Sequence, residues 1–285
     1  MCVEEMKSFL ISTYLMSLDC FGKIGRVHSV FEHSFNFIVE GKLIHVTDAR
    51  DYLSSFGIRM SPEDFQELRA FAKVGSVVKL TDVSLSIYDS QGIKKMTFGT
   101  IERVSLRLIP CRYDEKVLLH FRQQLEQYNL MEHLGIDIGQ RGQVYFERMI
   151  RPKSCDQEWQ ELVNFFIGRG KGLTPSGDDL LLGYLFILKL FQVLEIEQLE
   201  FALSRSLSAT TIVSQNYLQT LLEGFASLPL IELNRWLLNP EGKKLEQVIA
   251  SILSFGHTSG KDTAFGMLLG VQRLLSKNIV FNNVS

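Results

Sequence analysis

Two hydrophobic periods divide the chain. As far as about residue 110, apolar and polar positions alternate. Phe35, Phe37 and Val39 fall on one face of Ser34–Val39, the period-two signature of a half-buried strand. Glu40-Gly41 then offers a two-residue turn into Lys42–Thr47, which predicts a hairpin. Val77–Tyr88 and Thr97–Leu108 predict further strands, with Val104, Leu106 and Leu108 on a common face. One helix interrupts them. Ser61 suits its N-cap and Pro62 its first position, and Phe65, Leu68 and Phe71 line one side.

After Pro110 the period becomes helical. Val117, Phe121 and Leu125 recur at every fourth residue, and similar stripes run through 159–166, 180–194, 196–207, 212–225, 245–253 and 263–275. Pro152, Pro229 and Pro240 mark expected breaks. The pattern predicts about seven helices. The expected fold is α+β: a β-rich domain over 1–110, barrel-like or a small sheet, followed by an all-helical domain over 111–285. No low-complexity linker separates them, so the two are expected to pack together.

Inside the helical half one short motif is written twice. It reads GRGKGLTPSGDDLLLG at Gly168–Gly183 and GHTSGKDTAFG at Gly256–Gly266. Ser176, Gly177, Asp179 and Gly183 recur as Ser259, Gly260, Asp262 and Gly266, each 83 residues on. Small polar residues ahead of an apolar helix suit a helix N-terminus, whose unpaired N–H groups and positive dipole end attract anions. One such end contributes about 0.3–1 kcal/mol when exposed and about 2 kcal/mol when partly buried. Thr174 and Thr258 are the expected caps, with Pro175 opening a first helix that runs to about Leu194. Gly170 and Gly172 leave the backbone free to wrap an anion. Together with Lys171, Thr174, Ser176, Gly177, Thr258, Ser259 and Gly260 they are the candidate phosphate or carboxylate site. Asp178, Asp179 and Asp262 would repel a phosphate, so they are expected to hold a cation, a lysine or N–H groups. His257 can move a proton near neutral pH. Gly183 and Gly266 lie one turn below Asp179 and Asp262 and share their faces. The two helices are therefore expected to cross there.

Composition sets the limits. A net charge of −2 and 46% hydrophobic residues fit a packed core and argue against nucleic-acid or anionic-membrane partners. Four scattered cysteines without C-x-x-C spacing predict reduced thiols in the cytoplasm. Glu4 and Glu5 precede the apolar run Phe9–Leu18, unlike a secretory signal. Lys189 and Gln192 interrupt Leu180–Leu194, which reads as a buried core helix. The loop lacks G-x-x-x-x-G-K-[ST], so it is not a P-loop, and no dinucleotide fingerprint is present. His28 and His33 do not have metal-ligand spacing; His28 and Ser29 are candidates to line a cleft. His45, His120 and His133 carry no signal. Trp159 and Trp236 are expected in the core. No cofactor is evident, and a divalent metal is left open.

The motifs GxGLTPSGDD and GHTSGxD, with the VHSVF segment Val27–Phe31, resemble the AllH-like family of oxamate carbamoyltransferase subunits from anaerobic allantoin degradation. The resemblance implies interconversion of oxalurate plus phosphate with oxamate plus carbamoyl phosphate, partner subunits, and a small carbamoyl or ureido metabolite as ligand. The Ser-x-Arg-Thr signature of aspartate and ornithine transcarbamylases is absent, so any transfer uses an unrelated site. Two other readings stay open. One is a non-catalytic metabolite-binding subunit or sensor. The other is a scaffold whose doubled motif only packs helices.

Overall fold

A computed structural model describes residues 8–137, 139–153, 155–241 and 244–276. The fold is α+β. In the first part run β1 (Ser8–Ser12), α1 (Thr13–Ser17), β2 (Ile24–Val30), β3 (Ser34–Val39), β4 (Lys42–Thr47), β5 (Gly57–Arg59), α2 (Pro62–Arg69), β6 (Val77–Thr81), β7 (Ser84–Asp89), β8 (Gly92–Thr97) and β9 (Thr100–Val104). The nine strands form one sheet in the order β8-β7-β6-β2-β3-β4-β5-β1-β9. The second part holds α3 (Glu115–Glu126), α4 (Gly139–Ile150), α5 (Asp156–Phe166), α6 (Ser176–Leu190), α7 (Ile196–Ser206), α8 (Ile212–Leu222), α9 (Leu228–Leu238), α10 (Leu245–Leu253) and α11 (Ser259–Leu274).

The sheet forms where alternation and turn chemistry agree. β3 and β4 pair antiparallel with Val39 opposite Lys42. Glu40 and Gly41 between them have φ of 50° and 74°, the left-handed pair that a two-residue hairpin needs. Phe35, Phe37 and Val39 are fully buried. Ser61 Oγ accepts the Asp64 N–H and Pro62 opens α2, whose Phe65 stacks on Phe35 with ring centroids 5.9 Å apart. The stretch read as one strand over Val77–Tyr88 is a hairpin, broken at Asp82-Val83. Thr97–Leu108 is not one strand: Thr97 ends β8, Thr100–Val104 form β9, and Arg107 makes an isolated antiparallel bridge to Phe225. Lys94 and Lys95 lie on the edge strand β8.

Two compact units divide the chain: 1–107 with 225–228, and 108–224 with 229–285. The short return is the unexpected part. Within the first unit the Phe225 ring lies 5.0 Å from that of Tyr14, Ala226 N–H donates to Leu106 O, and Leu228 N–H donates to Leu53 O. The helical unit has nine α-helices among the described residues, not seven. α4 and α9 were not expected. Pro229 does not break a helix; it sits in the first turn of α9, where a missing N–H is harmless. α6 ends at Leu190, short of Leu194, and is buried all round. Trp159 and Trp236 are core residues. Among the described residues, no helix is long and apolar enough to cross a membrane. Cys20, Cys111 and Cys155 are free thiols; Cys2, Glu4, Glu5 and Lys243 lie outside the described residues.

Candidate functional site

The doubled motif builds a near-twofold crossing of α6 and α11. A Cβ on Gly183 would lie 1.9 Å from Thr263 O and 3.0 Å from Met267 N; one on Gly266 would lie 2.0 Å from Leu180 O and 3.0 Å from Tyr184 N. Leu180 and Thr263, like Tyr184 and Met267, are again 83 residues apart. Each glycine therefore lets the other helix's backbone approach to contact. The repeat also reaches the preceding helices. A Cβ on Gly177 would lie 2.1 Å from Phe166 O at the end of α5, and one on Gly260 would lie 2.1 Å from Ile252 O near the end of α10. Two helical hairpins, α5–α6 and α10–α11, are thus assembled alike.

At the N-terminal ends of this crossing the polar residues exchange partners. Ser259 and Thr174 lie close to Asp179, and Ser176 and Thr258 close to Asp262, where their hydroxyls favour the charged form of each acid. Thr174 Oγ1 also lies 2.8 Å from Ser259 Oγ. Each aspartate thus has the serine of the other copy as a neighbour. Asp179 is 6% exposed and Asp262 is completely buried, and Oδ2 of each has no hydrogen-bond partner. Burial raises both carboxyls above the usual range, Asp179 well above it, with the neighbouring Asp262 charge adding to the rise.

Thr174 is not the side-chain cap of α6: Pro175 holds the cap position and the Thr174 hydroxyl reaches across to the second motif. Thr258 holds the cap position of α11 but makes no side-chain cap bond. The first-turn N–H groups are also less free than expected. Gly177 N–H donates to Arg169 O at 2.8 Å and Gly260 N–H to Phe255 O at 2.9 Å. Gly168 N–H donates to Asp178 Oδ1 at 2.6 Å, and the Thr210 hydroxyl donates to Asp178 Oδ2. Asp178 therefore fastens the glycine loop to the start of the α8 region. Gly168, Gly170 and Gly172 all have positive φ, and Gly170 and Gly172 are exposed. Arg169 is turned back on α5, donating to Phe165 O and lying 4.2 Å over the Phe165 ring. Lys171 and His257 are exposed beside the two helix starts.

One participant had no sequence signal. Gly135 N–H donates to Asp262 Oδ1 at 2.9 Å. A Cβ there would lie 2.2 Å from Ser176 Oγ and 2.7 Å from Thr258 Oγ1, so the Gly135 backbone covers the crossing. It comes from 127 residues away, in a segment with no motif. His28 and Ser29 lie on β2 of the sheet unit, bonded to each other at 3.2 Å, with Asn36 Nδ2 donating to Ser29 Oγ. Among the described residues no group of three His, Cys, Asp or Glu side chains could hold a metal ion. An open groove with Trp236, His120, Lys116 and Lys244 in its lining shares no residue with the doubled motif.

A nine-stranded sheet unit joined to a helical unit, with paired hairpins presenting two buried acids at their crossed N-termini, defines an α+β protein with a duplicated polar centre. Two family models match it. Residues 7–100 match the AllH family N-terminal domain, and residues 166–271 match oxamate carbamoyltransferase subunit AllH. Between them they cover more than half of the chain, which belongs to the AllH family. The second match spans both copies of the motif. No solved structure matches.

Proposed function

We propose that this chain is the substrate-holding subunit of a carbamoyltransferase that interconverts oxalurate plus phosphate with oxamate plus carbamoyl phosphate. The observation that carries the reading is the pair of buried acids. Packing accounts for Gly183 and Gly266, but it does not account for Asp179 and Asp262. A buried acceptor without a donor costs about 1–3 kcal/mol, and more when charged. Such a cost at both copies of one motif fits a site kept for chemistry.

In the phosphorolytic direction a phosphate oxygen attacks the ureido carbonyl carbon of oxalurate. The bond from that carbon to the oxamate nitrogen breaks, and the nitrogen gains a proton as it leaves. Asp179 and Asp262, which burial makes reluctant to ionise, are the groups to hold that proton. His257, exposed at the start of α11, exchanges it with solvent. Lys171 and the flanking glycine loop bring positive charge and backbone N–H groups to the attacking phosphate. Partner subunits in the cytoplasm complete the enzyme.

Turnover measured with co-purified partner subunits tests this. The Asp179→Asn plus Asp262→Asn double variant should lose about 100-fold or more, the usual weight of a general acid–base group. Full activity in a folded double variant would remove the acids from the mechanism. The cover that Gly135 places over the acids favours a second reading, a non-catalytic metabolite-binding subunit. Ligand affinity that depends on the acids, with turnover indifferent to them, would select it.

A further inference from the structure

We propose that the sheet unit carries a ligand site of its own, sharing no residue with the doubled motif: a polar row of Ser29, Asn36, His45 and Ser54 that takes a small uncharged amide.

The row crosses four neighbouring strands, β2 to β5, on the face turned away from the core cluster of Val27, Phe35, Phe37, Ile44 and Val46. Ser29 stands opposite Asn36, Asn36 opposite His45, and His45 opposite Gly57. Gly57 has no side chain to add, and Ser54 fills its place in the line: a Cβ on Gly57 would lie 2.6 Å from Ser54 Oγ. A bulge completes the arrangement. Val27 pairs with Phe37 and Ser29 with the adjacent Asn36, so His28 is one residue too many on β2. Val27 and Val30 thereby stay on the core side while Ser29 turns to Asn36. Bulges re-aim side chains in this way beside functional sites.

The second observation is what the row lacks. At the β2 end the bonds are made: Asn36 Nδ2 donates to Ser29 Oγ at 2.9 Å, and Ser29 Oγ lies 3.2 Å from His28 Nδ1. Further in, Asn36 Oδ1, His45 Nδ1 and Ser54 Oγ have no hydrogen-bond partner, on residues 4%, 8% and 0% exposed. Buried polar groups are nearly always paired, so three orphans along one line mark a place for a partner. Asn36 Oδ1 can only accept, and the Ser54 hydroxyl can donate. The partner must offer a donor at one end and an acceptor at the other. It must also be uncharged. Burial alone lowers the His45 pKa, with no contribution from a charged group, so the row would desolvate an ion without compensating it. A carboxamide meets these terms. Its N–H donates to Asn36 Oδ1, its carbonyl accepts from Ser54 Oγ, and His45 Nδ1 stands between them in the line. His28 and Ser29 are half-buried, so the row is approached from the β2 end.

Nuclear magnetic resonance of the full chain with nitrogen-labelled histidine tests this, the His45 signals being assigned by their loss in His45→Gln. Acetamide should shift them saturably. Dimethylacetamide keeps the carbonyl but has no N–H for Asn36, and acetate is charged; each should bind at least about tenfold more weakly. Ser54→Ala should weaken acetamide about threefold or more. Asp179→Asn plus Asp262→Asn should leave acetamide affinity unchanged. His45 signals that respond to no probe would mean that the row holds water only, and would overturn the proposal. So would acetate or dimethylacetamide binding as tightly as acetamide, or a folded Ser54→Ala variant with full affinity. Loss of acetamide binding in the double aspartate variant would move the amide to the helix crossing and overturn it too. The three-ligand series on the unmodified chain stands if a variant does not fold.

Discussion

One methyl group at the helix crossing tests the packing directly. In Gly183→Ala the new Cβ lies 1.9 Å from Thr263 O, 2.8 Å from Thr263 C and 3.0 Å from Met267 N. All three are backbone atoms, so no rotamer change relieves the clash. Reaching ordinary contact near 3.4 Å requires α6 and α11 to part by about 1.5 Å there, and gaps of about 0.5–1 Å already forfeit a quarter to a half of each dispersion contact. Alanine gains about 1 kcal/mol over glycine in helix propensity, which offsets part of the loss. Overpacking of this kind costs about 1–3 kcal/mol and more against rigid atoms, so the net destabilisation should be about 2–4 kcal/mol. Gly266→Ala meets Leu180 O at 2.0 Å and should match it. The double variant should cost less than the sum by about 1–2 kcal/mol, because a crossing already spread admits the second methyl. Gly270→Ala, which meets only the Ile187 side chain, should cost about 1 kcal/mol. Urea unfolding reads each value from the midpoint at constant slope. Wild-type stability in Gly183→Ala, or strict additivity in the double variant, would refute the close reciprocal crossing.

Three further outcomes follow. His45 on β4 is buried with Nδ1 unpartnered, and desolvation lowers its pKa from 6.5 to about 4. Its contribution is present above pH 6.5 and lost as pH falls towards 4, about 3 kcal/mol in all; unfolding midpoints at pH 7 and pH 4.5 should converge in a His45→Gln variant. The acids run the other way: their raised pKa values mean stability is lost as pH rises above 3.8. Asp262→Asn should therefore gain about 1–3 kcal/mol at pH 7 and little at pH 3.5, by the same unfolding assay; equal gains at both would refute the charge argument. Asp178→Ala frees Gly168 N–H and the Thr210 hydroxyl and should cost about 2–3 kcal/mol. Its glycine loop should show faster limited proteolysis near Arg169 and Lys171, and unchanged cleavage would mean the loop is held otherwise.

Much of this was legible because local chemistry and burial agreed. Alternation with Glu40-Gly41 located the β3–β4 hairpin, and Ser61-Pro62 located α2. The spacing of Gly183 and Gly266 located the crossing, since a glycine one turn below an acid has few reasons other than close approach. The misses have physical causes. β8 is an edge strand whose Lys94 pairs with Glu67 at 2.8 Å, so it need not alternate. α4 begins with Gly139, Gln140, Arg141 and Gly142, residues that hide a helical stripe. Thr174 looked like a cap because a threonine before proline usually is one, yet its hydroxyl is claimed by Ser259 across the crossing. Gly135 joins the site through contacts that no local pattern encodes.

The brief return at Phe225–Leu228 has a consequence for how the protein is made. The first unit holds residues 1–107 but also needs these four, so a ribosome must deliver more than a hundred further residues before that unit is complete. At about 5–20 residues per second the delay is on the order of ten seconds. For that interval Tyr14 waits for Phe225, and Leu53 O waits for Leu228. The sheet unit therefore cannot finish folding on its own as it emerges. Its last pieces arrive only after α3 to α8 have been synthesised, which ties the maturation of one unit to the synthesis of the other.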